Sequence, residues 1–193
     1  ELGLHSFILF PKIKDELKDA KGTYGISPDN YYLQAARTIK TQFPQITLMS
    51  DVALDPYNIH GHDGIVKDGQ ILNDETIAVL TQMSLLQAEA GFDYLGPSDM
   101  MDGRVEAIRQ ALDDNHYTNT GIISYTAKYA SAFYGPFRDA LDSSPVDLKD
   151  IPKDKKTYQM NPSNRKEALL EGELDFAEGA DILMVKPALN YLD

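Results

Sequence analysis

The chain has 193 residues, enough for one domain with a substantial core, and its composition is that of an ordinary globular protein. A formal net charge of −12 argues against nucleic acid as a partner, because phosphate binding needs clustered cations. The absence of cysteine excludes disulfides, thiolate catalysis and thiolate zinc sites. No apolar run approaches the ~20 residues of a membrane helix, so no membrane partner is expected.

Strand-like and helix-like segments alternate along the sequence. Six strands are predicted, at 5–10, 46–52, 92–96, 120–125, 157–160 and 180–186. Four helices are predicted, at 27–42, 73–91, 101–113 and 162–179. Ser27 is the expected N-cap of the first helix, with Pro28 at its first position. The polar, Pro-containing stretch 135–156 is expected to be an active-site lid within a single domain.

The order of these segments predicts a barrel. Strand–helix alternation favours a parallel sheet with right-handed crossovers. Polar or ionisable residues recur at the carboxyl ends of the strands, where a barrel gathers them on one catalytic face. They are Asp51, Ser98, Asp99, Ser124, Lys128 and Lys186. We therefore expect an α/β fold of the TIM (β/α)8 type, incomplete because six strands do not close an eight-stranded barrel.

Two lysines occupy positions where burial would make them nucleophiles. Lys186 follows the apolar strand 182–185, and Lys128 lies in the aromatic run 124–138, which has no carboxylate. Taking an ammonium out of water lowers its pKa, and a second ammonium lowers it further, which frees the amine to form a Schiff base. The alternative is that each side chain reaches solvent, and position alone leaves both open.

The segment 51–64 carries residues that could bind a metal. Its carboxylates and imidazoles are Asp51, Asp55, Asp63, His60 and His62. Oxygen ligands without sulfur favour Mg²⁺ over zinc, and the glycines of the segment would let it fold around an ion. The alternative is a loop in which these side chains make turn and cap hydrogen bonds.

The predicted lid carries a group of cations: Arg138, Lys153, Lys155 and Lys156. Cations on a loop over a catalytic face suit recognition of substrate carboxylates, and arginine offers bidentate geometry. A solvated charged loop is the favoured interpretation for Lys153 and Lys156.

Five segments together make the chain resemble the porphobilinogen synthase family, also called the 5-aminolevulinate dehydratases, over nearly its whole length. The segments are 51–57 (DVALDPY), 61–64 (GHDG), 97–104 (PSDMMDGR), 124–138 and 185–187 (VKP). The resemblance implies a TIM-barrel lyase that joins two molecules of 5-aminolevulinate into porphobilinogen, with loss of two waters, for haem and chlorophyll synthesis. It implies a cytoplasmic location, or a plastid in a photosynthetic eukaryote.

The resemblance also implies roles for residues of the active site. Lys186 corresponds to the lysine that forms a Schiff base with the propionate-side substrate, and Lys128 to the one that binds the acetate-side substrate. Ser124, Tyr125 and Asp51 are candidates for proton transfer or substrate orientation.

The metals implied by the resemblance are of the magnesium type. Zinc-type members carry three cysteines where this chain has Ala53, Asp55 and Asp63, so Mg²⁺ is expected and zinc is not. Asp55 and Asp63 are the possible ligands in the active site, since Ala53 cannot bind a metal. Glu171 corresponds to a glutamate that holds an activating Mg²⁺ away from the active site.

The resemblance also has implications for the lid and for the ends of the chain. Arg138 and Lys155 match lid residues that hold a substrate carboxylate. The family forms homo-octamers through an N-terminal arm, and this arm, the first strand and the last strand have no counterpart here. We therefore expect a piece of a longer protein, inactive or poorly folded in isolation and not an octamer by itself.

Two other functions are compatible with a barrel lysine. A class I aldolase-like lyase also forms a Schiff base, but it typically needs one lysine and often binds a phosphate, for which no Gly-rich loop is present. A non-catalytic binding protein on a barrel scaffold would leave both strand-end lysines unexplained.

Overall fold

Seven strands and five α-helices make up a computed structural model that describes residues 3–192. The strands are β1 (Ser6–Ile8), β2 (Thr47–Met49), β3 (Ile65–Lys67), β4 (Gln70–Leu72), β5 (Tyr94–Leu95), β6 (Gly121–Lys128) and β7 (Ile182–Lys186). The helices are α1 (Tyr31–Gln42), α2 (Asn73–Glu89), α3 (Arg104–Asp114), α4 (Gly135–Leu141) and α5 (Arg165–Ala177).

The main sheet is parallel throughout, in the order β1-β2-β5-β6-β7. Neighbouring strands are also successive strands of this sheet, and α1, α2, α3 and α5 each lie in a connection between them. This is the repeating unit of a (β/α) barrel, present here in part, and it confirms the predicted fold class. All five strands end at the same edge, which places their carboxyl-terminal side chains together.

The predicted strand at 157–160 is wrong. The amides of Tyr158 and Gln159 both donate to the carbonyl of Lys155, which bends the chain into a turn. Only Met160 pairs with the sheet, through an isolated bridge to Tyr129. The sheet therefore has five strands where six were expected, and β6 pairs directly with β7.

The β3–β4 hairpin was not predicted. Its two-residue turn is Asp68-Gly69, and both residues have positive φ, 51° and 75°. Asp-Gly is a preferred pair for this kind of turn because glycine adopts positive φ without a steric penalty.

The first helix begins later than expected. Its N-cap is Asn30, whose side chain accepts a 2.9 Å hydrogen bond from the amide of Tyr32. Ser27 instead stabilises the preceding turn, in which its hydroxyl and carbonyl accept from the amides of Asp29 and Asn30. Asparagine and serine cap equally well, so the tertiary setting decides between the two.

The core lies between the sheet and the helices α1, α2 and α3. Its centre is formed by side chains with almost no solvent exposure, among them Leu33, Leu48, Leu80, Leu95, Ile108 and Ile122. At the end of the sheet formed by β7, residues of β7 and α5 line an open apolar groove of about 630 Å³. No helix within residues 3–192 combines the length and apolar character needed to cross a membrane.

Candidate active site

The two predicted nucleophiles lie side by side. Lys128 is the last residue of β6, Lys186 is the last residue of β7, and the two are direct partners in the parallel register. Residues 58 apart in sequence are thus adjacent because both strands end at one edge of the sheet. The fold brings together the pair of lysines that the sequence singled out.

Aromatic rings surround the ammonium of Lys186. Its Nζ lies 4.5 Å from the ring centroid of Phe137 and 4.9 Å from that of Tyr125. Within residues 3–192, no carboxylate oxygen comes within ion-pairing distance, 4.0 Å, of this nitrogen. Burial, and then the charge of Lys128, lower the pKa of Lys186. The lowered pKa increases the fraction of neutral amine, which is the form that attacks a carbonyl.

Lys128 is ion-paired, in contrast to the expectation from its local sequence. Its Nζ donates to the carbonyl oxygen of Ser98 and lies 3.4 Å from Oδ1 of Asp63. The partner comes from a loop 65 positions away, which explains why the carboxylate-free run around Lys128 did not reveal it. The two lysines therefore have different electrostatic settings, one paired with a carboxylate and one enclosed by rings.

Asp55 and Asp63 share a buried cation from the predicted lid. Nζ of Lys155 lies 3.0 Å from Oδ2 of Asp55 and 2.9 Å from Oδ2 of Asp63. Burial alone would lower the pKa of Lys155, but the two carboxylates more than offset it and raise that pKa. Burial would likewise raise the pKa of Asp63, but Lys128 and Lys155 hold it well below its ordinary value.

This arrangement does not fit a metal between Asp55 and Asp63. The ammonium of Lys155 already fills the position that a shared cation would take. No set of three or more His, Asp or Glu side chains in residues 3–192 is arranged to hold a metal ion. In this closed arrangement the lysine supplies the positive charge that the two carboxylates require.

Asp51 is a buried carboxylate beside the lysines. Its Oδ1 accepts a 2.7 Å hydrogen bond from Oγ of Ser98. Burial and the nearby Asp55 raise its pKa to about 7, although the Ser98 hydrogen bond and both lysines oppose the rise. A group with a pKa near neutrality can both give and take a proton, which suits general acid–base chemistry.

Asp51 is expected to contribute a fall in the unfolding free energy of the complete protein as the pH rises from about 4 to about 7. Its pKa is about 7 in the fold and 3.8 ordinarily, so the folded state binds more protons in this window. Asp51→Asn is expected to reduce the fall, measured by urea unfolding at several pH values. Asp99, whose pKa burial raises to about 6, contributes equally to both proteins. A fall of unchanged size would contradict this assignment.

Ser124 and Tyr125 lie on opposite faces of β6. Neighbouring residues of a strand alternate between its two faces, so Tyr125 faces Lys186. Ser124 points the other way, where its hydroxyl donates to Asp175 at 2.7 Å. Ser124 therefore does not point toward the lysines, and its role in substrate binding stays a prediction. The pairing of β6 with β7 is irregular between Ser124 and Ala127, and an extra residue in a strand reverses the faces of the side chains that follow. This irregularity explains why Lys128, three residues beyond Tyr125, lies over the same ring.

The predicted lid covers both lysines. Together with the sheet it encloses a cavity of about 20 Å³, room for about one water molecule. The cavity is lined by Asp55, Lys128, Tyr134, Phe137, Arg138, Lys155, Gln159 and Lys186. Arg138 donates to Gln159 at 3.4 Å and stacks over the ring of Tyr134. A substrate larger than water fits in this cavity only if the lid moves.

Lys153 and Lys156 do not reach this cavity. Both are exposed, and Lys156 makes only a surface ion pair of 3.5 Å with Asp154. The solvent exposure of Lys153 and Lys156 agrees with the interpretation that the sequence favoured, a solvated charged loop.

Glu171 lies on α5, outside the cavity and beside a buried arginine. Its Oε1 is 3.5 Å from Nη1 of Arg104. Burial raises its pKa, while the guanidinium opposes the rise. The carboxylate retains partial exposure, so it fits an ion such as Mg²⁺ that keeps most of its water ligands and needs one carboxylate.

Sequence analysis assigned no role to Arg104, although this residue lies in the segment 97–104. The side chain is fully buried and donates to Ser124 Oγ and to the carbonyl of Tyr125. The carboxylates of Asp99 and Asp175 lie 3.7 and 3.9 Å away. A basic residue at the first position of a helix, where acidic residues are favoured, was the available signal.

The fold and the site define a class before any comparison. A parallel (β/α) barrel sheet with paired lysines at the carboxyl ends of adjacent strands is typical of barrel proteins with Schiff-base lysines.

Comparison with known proteins gives the particular family. The sequence profile of the delta-aminolevulinic acid dehydratase family matches residues 1–193, so the chain belongs to that family. The chain is 55% identical to the chloroplastic delta-aminolevulinic acid dehydratase of Physcomitrium patens, covering 100% of this chain and 44% of that protein. It is 53% identical to the enzyme of Bradyrhizobium diazoefficiens, covering 100% of this chain and 54% of the relative.

A solved structure shows the same fold. The crystal structure of delta-aminolevulinic acid dehydratase (porphobilinogen synthase) from Toxoplasma gondii ME49, in complex with the product porphobilinogen, aligns with a TM-score of 0.94 and 52% identity. The alignment covers 99% of this chain and 54% of that one. The chain spans about half the length of the relatives that it matches.

Proposed function

We propose that the protein containing this chain is a porphobilinogen synthase, which condenses two molecules of 5-aminolevulinate into porphobilinogen with loss of two waters. The adjacent, register-paired lysines Lys128 and Lys186 are the observation that carries the proposal. Two substrates need two carbonyl anchors held side by side, and the ends of β6 and β7 supply them. Membership of the family supports the same reaction.

The different surroundings of the lysines fit separate tasks. Lys186, with its lowered pKa, attacks the ketone of the propionate-side substrate, and Lys128 binds the acetate-side substrate. Each iminium withdraws electrons, which acidifies the neighbouring carbon and activates the carbonyl carbon toward attack. In this proposal Asp51 moves protons, and Arg138 and Lys155 hold a substrate carboxylate when the lid closes. Holding both substrates together supplies much of the rate.

Two measurements on the complete protein test the proposal. Incubation with 5-aminolevulinate should yield porphobilinogen, detected with Ehrlich's reagent. Treatment with 5-aminolevulinate and borohydride should fix a substrate adduct on Lys186, located by peptide mass mapping. Absence of both product and adduct would refute the assignment. Turnover of aldol substrates without porphobilinogen would favour the aldolase-like alternative.

We further propose that Mg²⁺, bound at Glu171, activates the enzyme. Chelation should lower activity, and Mg²⁺ should restore it in preference to Zn²⁺, because oxygen ligands favour magnesium. Glu171→Ala should blunt the response, whereas Glu173→Ala, an exposed glutamate two positions along α5, should leave it intact. An equal response to Mg²⁺ in all three proteins would exclude Glu171 as the ligand.

Assembly and location belong to the same proposal. The complete protein is expected to form the homo-octamer implied by the family. A cytoplasmic or plastid location fits the family, and the Physcomitrium patens relative is chloroplastic by name.

A further inference from the structure

The loop segment 60–63 contacts the lid along its length. The carbonyl of His60 accepts from the amide of Val146 at 3.1 Å, and Gly61 packs so closely under the Ser144 carbonyl that a Cβ there would collide with it. Gly61 also has a positive φ of 68°. The contacts of His60 and Gly61 with the lid require one fixed backbone conformation in this segment. Glycine can adopt the positive φ and the close approach that this conformation needs.

His62 makes two further contacts, one from each ring nitrogen. Nε2 lies 2.7 Å from the carbonyl oxygen of Pro152, in the lid, and Nδ1 lies 2.9 Å from Oη of Tyr158, two residues beyond it. A carbonyl only accepts, so Nε2 carries the proton in the Pro152 contact. The side chain is fully buried, and an unmade hydrogen bond there would be costly.

Tyr158 connects this histidine to the lysine site. Its hydroxyl lies 2.9 Å from Oδ2 of Asp63. The backbone amide of Asp63 donates to the hydroxyl oxygen of Tyr158 at 3.2 Å. Asp63 in turn pairs with Lys128 and Lys155. The position of Tyr158 therefore helps to fix the carboxylate of Asp63, which Lys128 and Lys155 contact.

We propose that segment 60–63 is the latch of the lid, and that His62 is a positioning residue that holds the lid closed over Lys128 and Lys186. This rests on the proposed function, because closure places Arg138 and Lys155 for the substrate carboxylate. His62 acts through Pro152 and Tyr158 and does not itself touch the cavity.

Four variants of the complete protein test the latch. His62→Leu removes both ring hydrogen bonds. Tyr158→Phe removes the one to Tyr158 and the contacts of its hydroxyl with Asp63, but keeps the bond to Pro152. His62→Gln keeps part of the bonding, and His60→Leu is the matched control, since the His60 ring makes no hydrogen bond to residues 3–192. Subtilisin cleavage in the exposed stretch 147–150 reports lid opening. Loss of the latch should speed this cleavage about tenfold, with His62→Gln intermediate and His60→Leu unchanged.

Kinetics separate latching from chemistry. The KM for 5-aminolevulinate should rise about tenfold in His62→Leu and Tyr158→Phe, with a smaller change in kcat, because an open lid weakens substrate binding. Cleavage and KM at parental values in either folded variant would overturn the proposal. If His62→Leu does not fold, Tyr158→Phe alone decides. Absence of both porphobilinogen and the borohydride adduct in the parent would refute the proposed function, while the cleavage comparison would still test the latch.

Discussion

Lys186→Met in the complete protein is expected to lower kcat by about 10³-fold or more, because the neutral amine that forms the propionate-side Schiff base is lost. Methionine preserves the unbranched shape and the contacts with Phe137 and Tyr125. Folding should therefore be retained, and the loss should be one of chemistry. The measurement is porphobilinogen formation under saturating 5-aminolevulinate, with the far-ultraviolet spectrum as a check of folding.

Two matched variants sharpen this result. Lys128→Met should also reduce kcat strongly, but the borohydride adduct on Lys186 should persist, because the two lysines anchor different substrates. Lys153→Met removes an exposed lid lysine and should leave kcat near the parental value. A Lys186→Met protein with near-parental turnover would rule out Schiff-base chemistry at this position.

Arg104→Met is expected to lower the free energy of unfolding by about 3–5 kcal/mol, because it leaves buried carboxylates without their cation. The guanidinium lies 3.7 Å from Asp99 and 3.9 Å from Asp175, and all three side chains are almost fully buried. It also donates to the carbonyl of Met101 at 3.0 Å. Total stabilities of about 5–15 kcal/mol make this loss a large fraction.

The pH dependence of this loss identifies its cause. Asp99 already has a pKa of about 6, raised by burial and opposed by Arg104, so removal of the arginine raises that pKa further. Asp99 becomes protonated more easily in the variant, and the destabilisation should therefore be smaller at about pH 5 than at about pH 8. Urea unfolding at both values measures it. Arg165→Met, at the exposed start of α5, is the control and should cost little. A loss independent of pH would point to packing alone.

The sequence predicted the main features of the fold and part of the site. Strand–helix alternation predicted the parallel barrel sheet, since each period is a local property of the chain. The apolar strand before Lys186 made burial of that lysine one of two open alternatives, and the structure shows it partly buried. The turn at 157–160 was misjudged because four apolar and polar residues alone do not distinguish a strand from a turn, and the Asp68-Gly69 hairpin signal was overlooked.

Residue types and their local order thus determined the fold class, the two strand-end lysines and the resemblance to the family. Only the tertiary structure decided which groups surround those lysines. Asp63 reaches Lys128 from a distant loop, the irregularity in β6 brings Lys128 to the same face as Tyr125, and Lys155 takes the place between Asp55 and Asp63. Each of these depends on distance in space between segments remote in sequence, and on burial, which strengthens charge interactions. The paired lysines follow from the sequence, and their unequal electrostatic settings follow from the fold.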